Sequence, residues 1–186
     1  AGGKSFALSC FKTYGAEIIS ADEINREVLR SPEIFAIISK RYFSAKTVQD
    51  GKLDKEALAE IIFSSEKEKK WLEGMLHPII LERSFNIAEN SKRKFVAVEM
   101  PLLFEAGLKE KFSFTLCIDV SEDKLYNRAR SRGWTEEHYK KRCSGQFLLE
   151  KKCAMADLII QNNGSRKDFE EKIKKLCLLV LKTIPA

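Results

Sequence analysis

Apolar residues in this chain recur at two spacings, and the changes between them mark out its elements. Ser5 to about Tyr14 reads as a helix closed by Gly15. Glu17-Ile18-Ile19-Ser20 follows as a short strand ending at Ala21-Asp22. From Glu23 to Asn90 the pattern is almost entirely helical, with Leu58, Ile61 and Ile62, then Trp71, Leu72, Met75, Leu76, Ile79 and Ile80 at helical spacing. Asp50-Gly51 predicts a turn, Asp54 a helix cap, and Pro78 a kink or break after His77. That stretch is too long for a simple crossover between strands and reads as an inserted helical subdomain.

The strand pattern then resumes. Phe95 to Met100 is a near-continuous apolar run, as expected of a strand covered on both faces. Phe114 to Val120 is a second run, closed by Ser121 as a helix cap, and Leu158-Ile159-Ile160 is a short last strand. Ser165 and Asp168 form an approximate capping box for a final helix striped by Phe169, Ile173, Leu176 and Val180. Strands alternating with helices predict an α/β fold with a mainly parallel sheet.

Composition narrows the class. The chain has 186 residues, 44% hydrophobic and 32% charged, which suits a globular protein with a sizeable core. No apolar run approaches the ~20 residues of a membrane span, and no signal peptide is visible. The net charge of +6 suits polyanionic partners, although the lysines are scattered over solvated helix faces. Five cysteines without a C-x-x-C pair fit free thiols in a reducing compartment. His77 and His138 lie far apart and without cysteine spacing, so no zinc site is expected.

Chemistry enters at the start of the chain. Ala1-Gly2-Gly3-Lys4-Ser5-Phe6 has the form of the second half of a phosphate loop, G-x-x-x-x-G-K-[ST], whose first glycine and feeding strand would precede Ala1. Glycines let successive backbone N–H groups turn toward an anion, and the following helix N-terminus adds its positive end. Lys4 would then reach phosphate and Ser5 a Mg²⁺ ion. The competing reading is a flexible Gly-rich terminus, but a loop, helix and strand ending in an acid form half of a βαβ unit. Asp22 has two readings, general base or helix N-cap. Glu99 also has two, a water-mediated magnesium contact or a salt bridge at the core edge. From Arg128 to Lys152 runs a charged helical stretch, either a solvated hairpin or a lid over triphosphate.

Gly3-Lys4-Ser5, Ser20 to Arg26, Leu76-His77-Pro78, Pro101 to Glu105, and Gln161-Asn162-Asn163-Gly164 occur together in an order and spacing that resembles the dephospho-coenzyme A kinase family. The resemblance implies a P-loop kinase three-layer fold with a mainly parallel sheet, a helical acceptor-binding insertion and a helical lid. Residues 1–22, 91–127 and 154–186 would form the nucleotide-binding core, 23–90 the acceptor subdomain and 128–153 the lid. It implies transfer of the ATP γ-phosphoryl group to the ribose 3′-hydroxyl of dephospho-coenzyme A, with Mg²⁺, in the cytoplasm. It also implies a monomer or small homo-oligomer with no nucleic-acid or membrane partner.

Carried over by residue, Ala1, Gly2, Gly3, Lys4, Ser5 and Phe6 would bind ATP, with Asn163 near the adenine. Asp22 would be the base, and Arg26 would lie near acceptor phosphate or the transferring group. His77, Pro101, Leu102, Leu103 and Glu105 would line the acceptor side. Arg128, Arg130, Arg132 and Arg142 are the lid's candidates for phosphate contact. Taken without the resemblance, His77 is an ordinary helix-end histidine. Ser20 stands where the family has an aspartate, Phe6 where it has threonine, and Leu149 where its lid has arginine. The rivals are another small-molecule P-loop kinase and a basic nucleic-acid-binding module. The latter would need base-stacking aromatics, whereas the Phe and Trp residues here fall mostly on core positions.

Overall fold

The computed structural model describes residues 2–42, 47–49, 52–144 and 146–183. The chain divides into two compact units, one made of Ala1–Ile18 with Lys92–Ala186, the other of Ile19–Ser91.

The first unit begins with helix α1 (Lys4–Thr13), which turns at Gly15 (φ 88°) into strand β1 (Glu17–Ser20). The Glu17 N–H donates to the Phe95 carbonyl at 2.9 Å, where β1 begins to pair with β4 (Val96–Glu99). After a 3-10 turn at Lys109–Lys111 comes β5 (Leu116–Asp119), in parallel register with β6 (Leu158–Gln161), Leu116 opposite Leu158 and Asp119 opposite Gln161. Between these two strands lie α6 (Glu122–Arg130), α7 (Glu136–Ser144) and α8 (Leu149–Met155), and α9 (Arg166–Thr183) closes the unit.

The core is the seam between α1 and α9. Ala7, Cys10 and Phe11 meet Phe169, Ile173, Leu176, Cys177 and Val180, the stripe expected from the sequence. Leu116 and Ile118, two apart on β5, face this cluster together with Phe95, Ala97 and Ile160. The alternate residue, Cys117, points to the other face, where its sulfur lies 3.3 Å from that of Cys153 on α8. Burial and this neighbouring thiol push Cys117 up to about 12, so it packs as a neutral, apolar group. All five cysteines are free thiols.

The predicted cap at Ser165 forms as expected. The Ser165 hydroxyl and N–H donate to Asp168, and the Asp168 N–H donates back to the Ser165 oxygen. Ser121 occupies the N-cap of α6 without a side-chain cap; its N–H is instead bound by Asn163 Oδ1 at 2.9 Å. The strands are less covered than the sequence suggests. No β4 residue is fully buried, and Leu158 and Ile159 of β6 are exposed. Among the described residues β1–β4 and β5–β6 are separate two-stranded pairs, so each strand keeps an unpaired edge.

Among its described residues the second unit, beyond the last two residues of β1, is helical apart from one small hairpin. Helix α2 (Ala21–Val28) buries Ala21, Ile24 and Val28, and α3 (Pro32–Arg41) starts on Pro32 and buries Ile34 and Ile38. Strands β2 (Val48–Gln49) and β3 (Lys52–Leu53) pair antiparallel. The helical pattern read through this region did not show the hairpin, and the turn assigned to Asp50-Gly51 lies outside the described residues. Asp54 caps α4 (Lys55–Ser64), its carboxylate accepting from the N–H groups of Glu56 and Ala57 at 2.9 and 3.1 Å. Helix α5 (Glu66–Glu89) buries Leu72, Leu76, Ile80 and Ser84, every fourth residue of one face.

Of the kink or break expected at Pro78, the break does not occur. Helix α5 continues through Pro78. Proline removes the donor for the Gly74 carbonyl, but Gly74 is exposed, so water can satisfy that oxygen. Burial of the Leu72–Ile80 face on both sides of the proline then holds one helix.

The ends of α3 and α5 are joined by a polar cluster. Arg41 donates to both Glu68 oxygens at 2.8 and 3.0 Å, the Tyr42 hydroxyl donates to Glu68 at 2.7 Å, and the guanidinium stacks 4.1 Å from the Trp71 ring centre. Hydrogen bonds from Arg41 and then Tyr42 hold the Glu68 carboxyl down at about 2. A depressed folded-state value stabilises the protein above the unfolded carboxyl range and loses that contribution as pH falls toward about 2. Glu68→Gln is therefore expected to lower the melting temperature at neutral pH and to flatten its fall between about pH 4.5 and 2, read by thermal denaturation across that range. An unchanged pH slope would mean that the cluster contributes nothing to folding.

Candidate active site

The start of α1 is built to receive an anion. Its N-cap is Gly3, which supplies no side-chain cap, and no acidic residue occupies the first turn. The first intrahelical bond runs from the Ala7 N–H to the Gly3 carbonyl at 2.9 Å. The amides of Lys4, Ser5 and Phe6 are left without helical partners at the positive end of the helix. Lys4 and Ser5 are exposed there. Most helix starts place Ser, Thr, Asp or Asn at this position, so the bare end is chemically informative.

Gly3 is required twice over. Its φ of 102° lies in the left-handed region, and a Cβ would sit 2.5 Å from Asn162 Nδ2 and 3.3 Å from the Phe169 ring. Asn162 is buried and its amide donates to the Gly2 carbonyl at 2.9 Å, clamping the loop to the turn between β6 and α9. Arg128 donates to the Asn162 carbonyl at 3.0 Å, and Lys124 donates to the carbonyl of Asn163. Asn163 is the residue of the Asn162-Asn163-Gly164 run expected near the adenine, and the buried amide that clamps the loop is its neighbour. Asn163 itself binds the Ser121 N–H.

Phe6 packs its ring 6.0 Å from Phe169 and lies under the Arg166 guanidinium at 4.4 Å, so its side chain serves the core. Ala1 lies outside the described residues. At the end of β4, Glu99 is nearly buried, and Lys4 Nζ approaches its carboxylate to 3.9 Å. This is the salt bridge weighed as one reading of Glu99, and it brings a carboxylate to the loop's lysine.

The turn Pro101–Glu105 follows directly. Leu102 and Leu103 are half-buried, and the Leu103 N–H donates to the Met100 carbonyl at 3.4 Å. Glu105 Oε1 accepts from the Phe147 N–H at 2.8 Å and from Lys152 Nζ at 2.9 Å. Lys152, read from sequence only as one charge among many in the stretch 128–152, is the partner that reasoning missed. The intervening sequence separation leaves no local signal for such a pair.

In the second unit Asp22 and Arg26 share the first turns of α2. The helix cap is Ser20, whose hydroxyl accepts from the Glu23 N–H at 3.4 Å, so Asp22 is not the N-cap. Its carboxylate is exposed, and the Arg26 Nε–H donates to the Asp22 backbone carbonyl at 3.1 Å. His77 sits half-buried in mid-α5, not at a helix end. Of the lid arginines, Arg128 and Arg130 lie on the last turn of α6 and Arg132 on the turn after it. Arg130 and Arg132 are exposed, Arg128 is taken up with Asn162, and the Arg142 side chain lies outside the described residues.

Among the described residues no group of three or more His, Cys, Asp or Glu side chains could hold a metal by itself. The oxygen donors near the loop are Ser5 and Glu99. That set fits a Mg²⁺ ion that keeps most of its coordination in water and substrate phosphates.

A phosphate-ready helix end, glycine-cornered and facing the C-terminal end of a parallel strand, is how P-loop kinases hold a nucleotide, and the fold is theirs. The family model CoaE, Dephospho-CoA kinase, matches residues 1–168. The dephospho-CoA kinase of Escherichia coli strain K12 is 33% identical over 178 residues, covering 94% of this chain and 85% of that protein. The corresponding enzyme of Sodalis glossinidius is 32% identical over 177 residues, with the same coverage. Among solved structures, dephospho-CoA kinase from Campylobacter jejuni superposes with a TM-score of 0.73 at 29% identity, covering 98% of this chain and 93% of that one. TT1252 from Thermus thermophilus gives 0.83 at 25% identity, covering 96% and 92%. The chain belongs to the dephospho-CoA kinase family.

Gly3→Ala tests the loop. A side chain in the left-handed region and against Asn162 is expected to cost about 1–3 kcal/mol, read by denaturant unfolding, and to abolish the melting-temperature rise given by ATP. A variant that folds and is still stabilised by ATP would show that the Gly3–Asn162 approach is not what shapes the loop.

Proposed function

We propose that this chain transfers the γ-phosphoryl group of ATP to the ribose 3′-hydroxyl of dephospho-CoA, giving CoA and ADP. The observation that carries this reading is the clamped, uncapped N-terminus of α1, with Lys4 beside Glu99, in a chain of this family. No helix of the described residues is long and apolar enough to cross a membrane. Free thiols support a reducing, cytoplasmic setting.

Phosphoryl transfer asks for alignment and charge neutralisation more than covalent work from the protein. The free amides of Lys4, Ser5 and Phe6, with Lys4 Nζ, bind the β- and γ-phosphates of ATP. Ser5 would hold Mg²⁺, with Glu99 reaching it through water, and the metal would supply charge neutralisation at the phosphate oxygens. Asn163 would lie at the adenine end, and the exposed Arg130 and Arg132 would meet triphosphate together with Arg142, while Arg128 is committed to the Asn162 carbonyl. His77 and the Pro101–Glu105 turn bind the acceptor.

As the acceptor 3′-oxygen bonds to the γ-phosphorus, the bond from that phosphorus to the ADP oxygen breaks. The hydroxyl proton passes to the Asp22 carboxylate, and Arg26 counters charge at the transferring group. Ser20 supports this role for Asp22. With the cap supplied by Ser20, the aspartate is not consumed in holding α2, and the serine replaces an acid without loss of that function.

Asp22→Asn keeps the shape and should fold normally. Its kcat is expected to fall by about 10²- to 10⁴-fold, while ATP with Mg²⁺ still raises the melting temperature. Mass-spectrometric detection of CoA checks turnover. A near-normal kcat removes the base assignment. Turnover of a nucleoside, sugar or shikimate in place of dephospho-CoA, or a melting shift with oligonucleotide alone, overturns the substrate assignment.

A further inference from the structure

One ammonium group gathers three segments of the first unit. Lys152 Nζ, on α8, donates to Glu105 Oε1 at 2.9 Å, to the Pro101 carbonyl at 3.0 Å and to Gln146 Oε1 at 3.0 Å. These three bonds use all of its hydrogens. Glu105 Oε1 also takes the Phe147 N–H, so the connector between α7 and α8 is held on both sides of the ion pair.

Burial separates this pair from an ordinary surface bridge. The Lys152 and Glu105 side chains are 13% and 14% exposed. Exposed pairs contribute little, whereas removing one partner of a buried pair leaves a charge without its counter-ion. Glu105 is especially sensitive, because its other oxygen, Oε2, is buried with no hydrogen-bond partner among the described residues. Lys152 also binds the backbone of Pro101, two residues after Glu99, the carboxylate beside Lys4. The side chain therefore connects the turn at the end of β4 to the start of α8.

We propose that Lys152 is a positioning residue for the acceptor. It holds the Pro101–Glu105 turn and the Gln146–Phe147 connector as one piece, so that the turn is presented to dephospho-CoA in a single conformation. The proposal rests on the reading of this turn as acceptor-binding and of dephospho-CoA as the substrate.

The test uses the full chain as wild type, Lys152→Met, Lys152→Arg and the double variant Lys152→Met with Glu105→Met. In Lys152→Met the KM for dephospho-CoA is expected to rise about 10- to 100-fold while the KM for ATP moves less than about twofold. Lys152→Arg, which keeps charge and donors, should recover most of the loss. The double variant strands no charge, so it should fold as well as wild type yet keep the acceptor defect. Hydrogen exchange gives a readout independent of turnover: amides of 102–106 and 146–148 should exchange faster in Lys152→Met and slow again in Lys152→Arg, with α1 unchanged. Equal rises in both KM values, or a lower melting temperature with normal acceptor KM, would overturn the proposal. If the wild type does not phosphorylate dephospho-CoA, the substrate reading fails, and exchange alone decides Lys152. Loosening of both segments then upholds its positioning role, and no change refutes it.

Discussion

The close approach of Gly3 to Asn162 is the constraint on which the nucleotide side of this protein depends. A buried amide must have a partner, and Asn162 finds one in the Gly2 carbonyl only because residue 3 has no side chain. That single bond fixes where the chain enters α1. It also joins the loop to the start of α9, whose Phe169 and Ile173 pack against α1 farther along. The core thus holds the two helices together, and the polar clamp sets the direction in which the uncapped end of α1 points. Arg128 and Lys124 reinforce the other side of the clamp by binding the carbonyls of Asn162 and Asn163.

Charge on the first unit follows the same logic at the end of β4. Two carboxylates within a few residues, Glu99 and Glu105, are each largely withdrawn from water and each met by a lysine. The pairs differ in kind. Lys4 is half-exposed and approaches Glu99 only to 3.9 Å, a loose contact that leaves its ammonium group open to water. Lys152 is nearly buried and fully hydrogen-bonded, as expected of a charge used for shape. The helical unit has its own polar cluster at Arg41, Tyr42, Glu68 and Trp71.

Residues that act through local spacing were legible in the chain. The α1 loop signature, the Asp54 cap, the Ser165–Asp168 box and the α9 stripe each lie within a few residues of one another, so their geometry follows from helical periodicity and hydrogen-bonding range. Local preference leaves alternatives that the fold then chooses between. Pro78 predicts a kink or a break, and apolar residues buried on both sides of it carry α5 through without a break. Asp22 reads as a base or a cap, and the cap is Ser20. The β2–β3 hairpin is only two residues deep, too short for an alternating pattern to show.

By itself, the order of residues determined the α/β class and the family, because these depend on motifs and periodicities carried along the backbone. Tertiary structure alone decided that Asn162, not Asn163, clamps the loop, that Arg128 is spent on a backbone carbonyl, and that Lys152 is the counter-ion of Glu105. The reason is physical. A charged or amide side chain looks the same in sequence whether it faces water or a buried partner, and only folding brings together groups separated by scores of residues and removes the water between them.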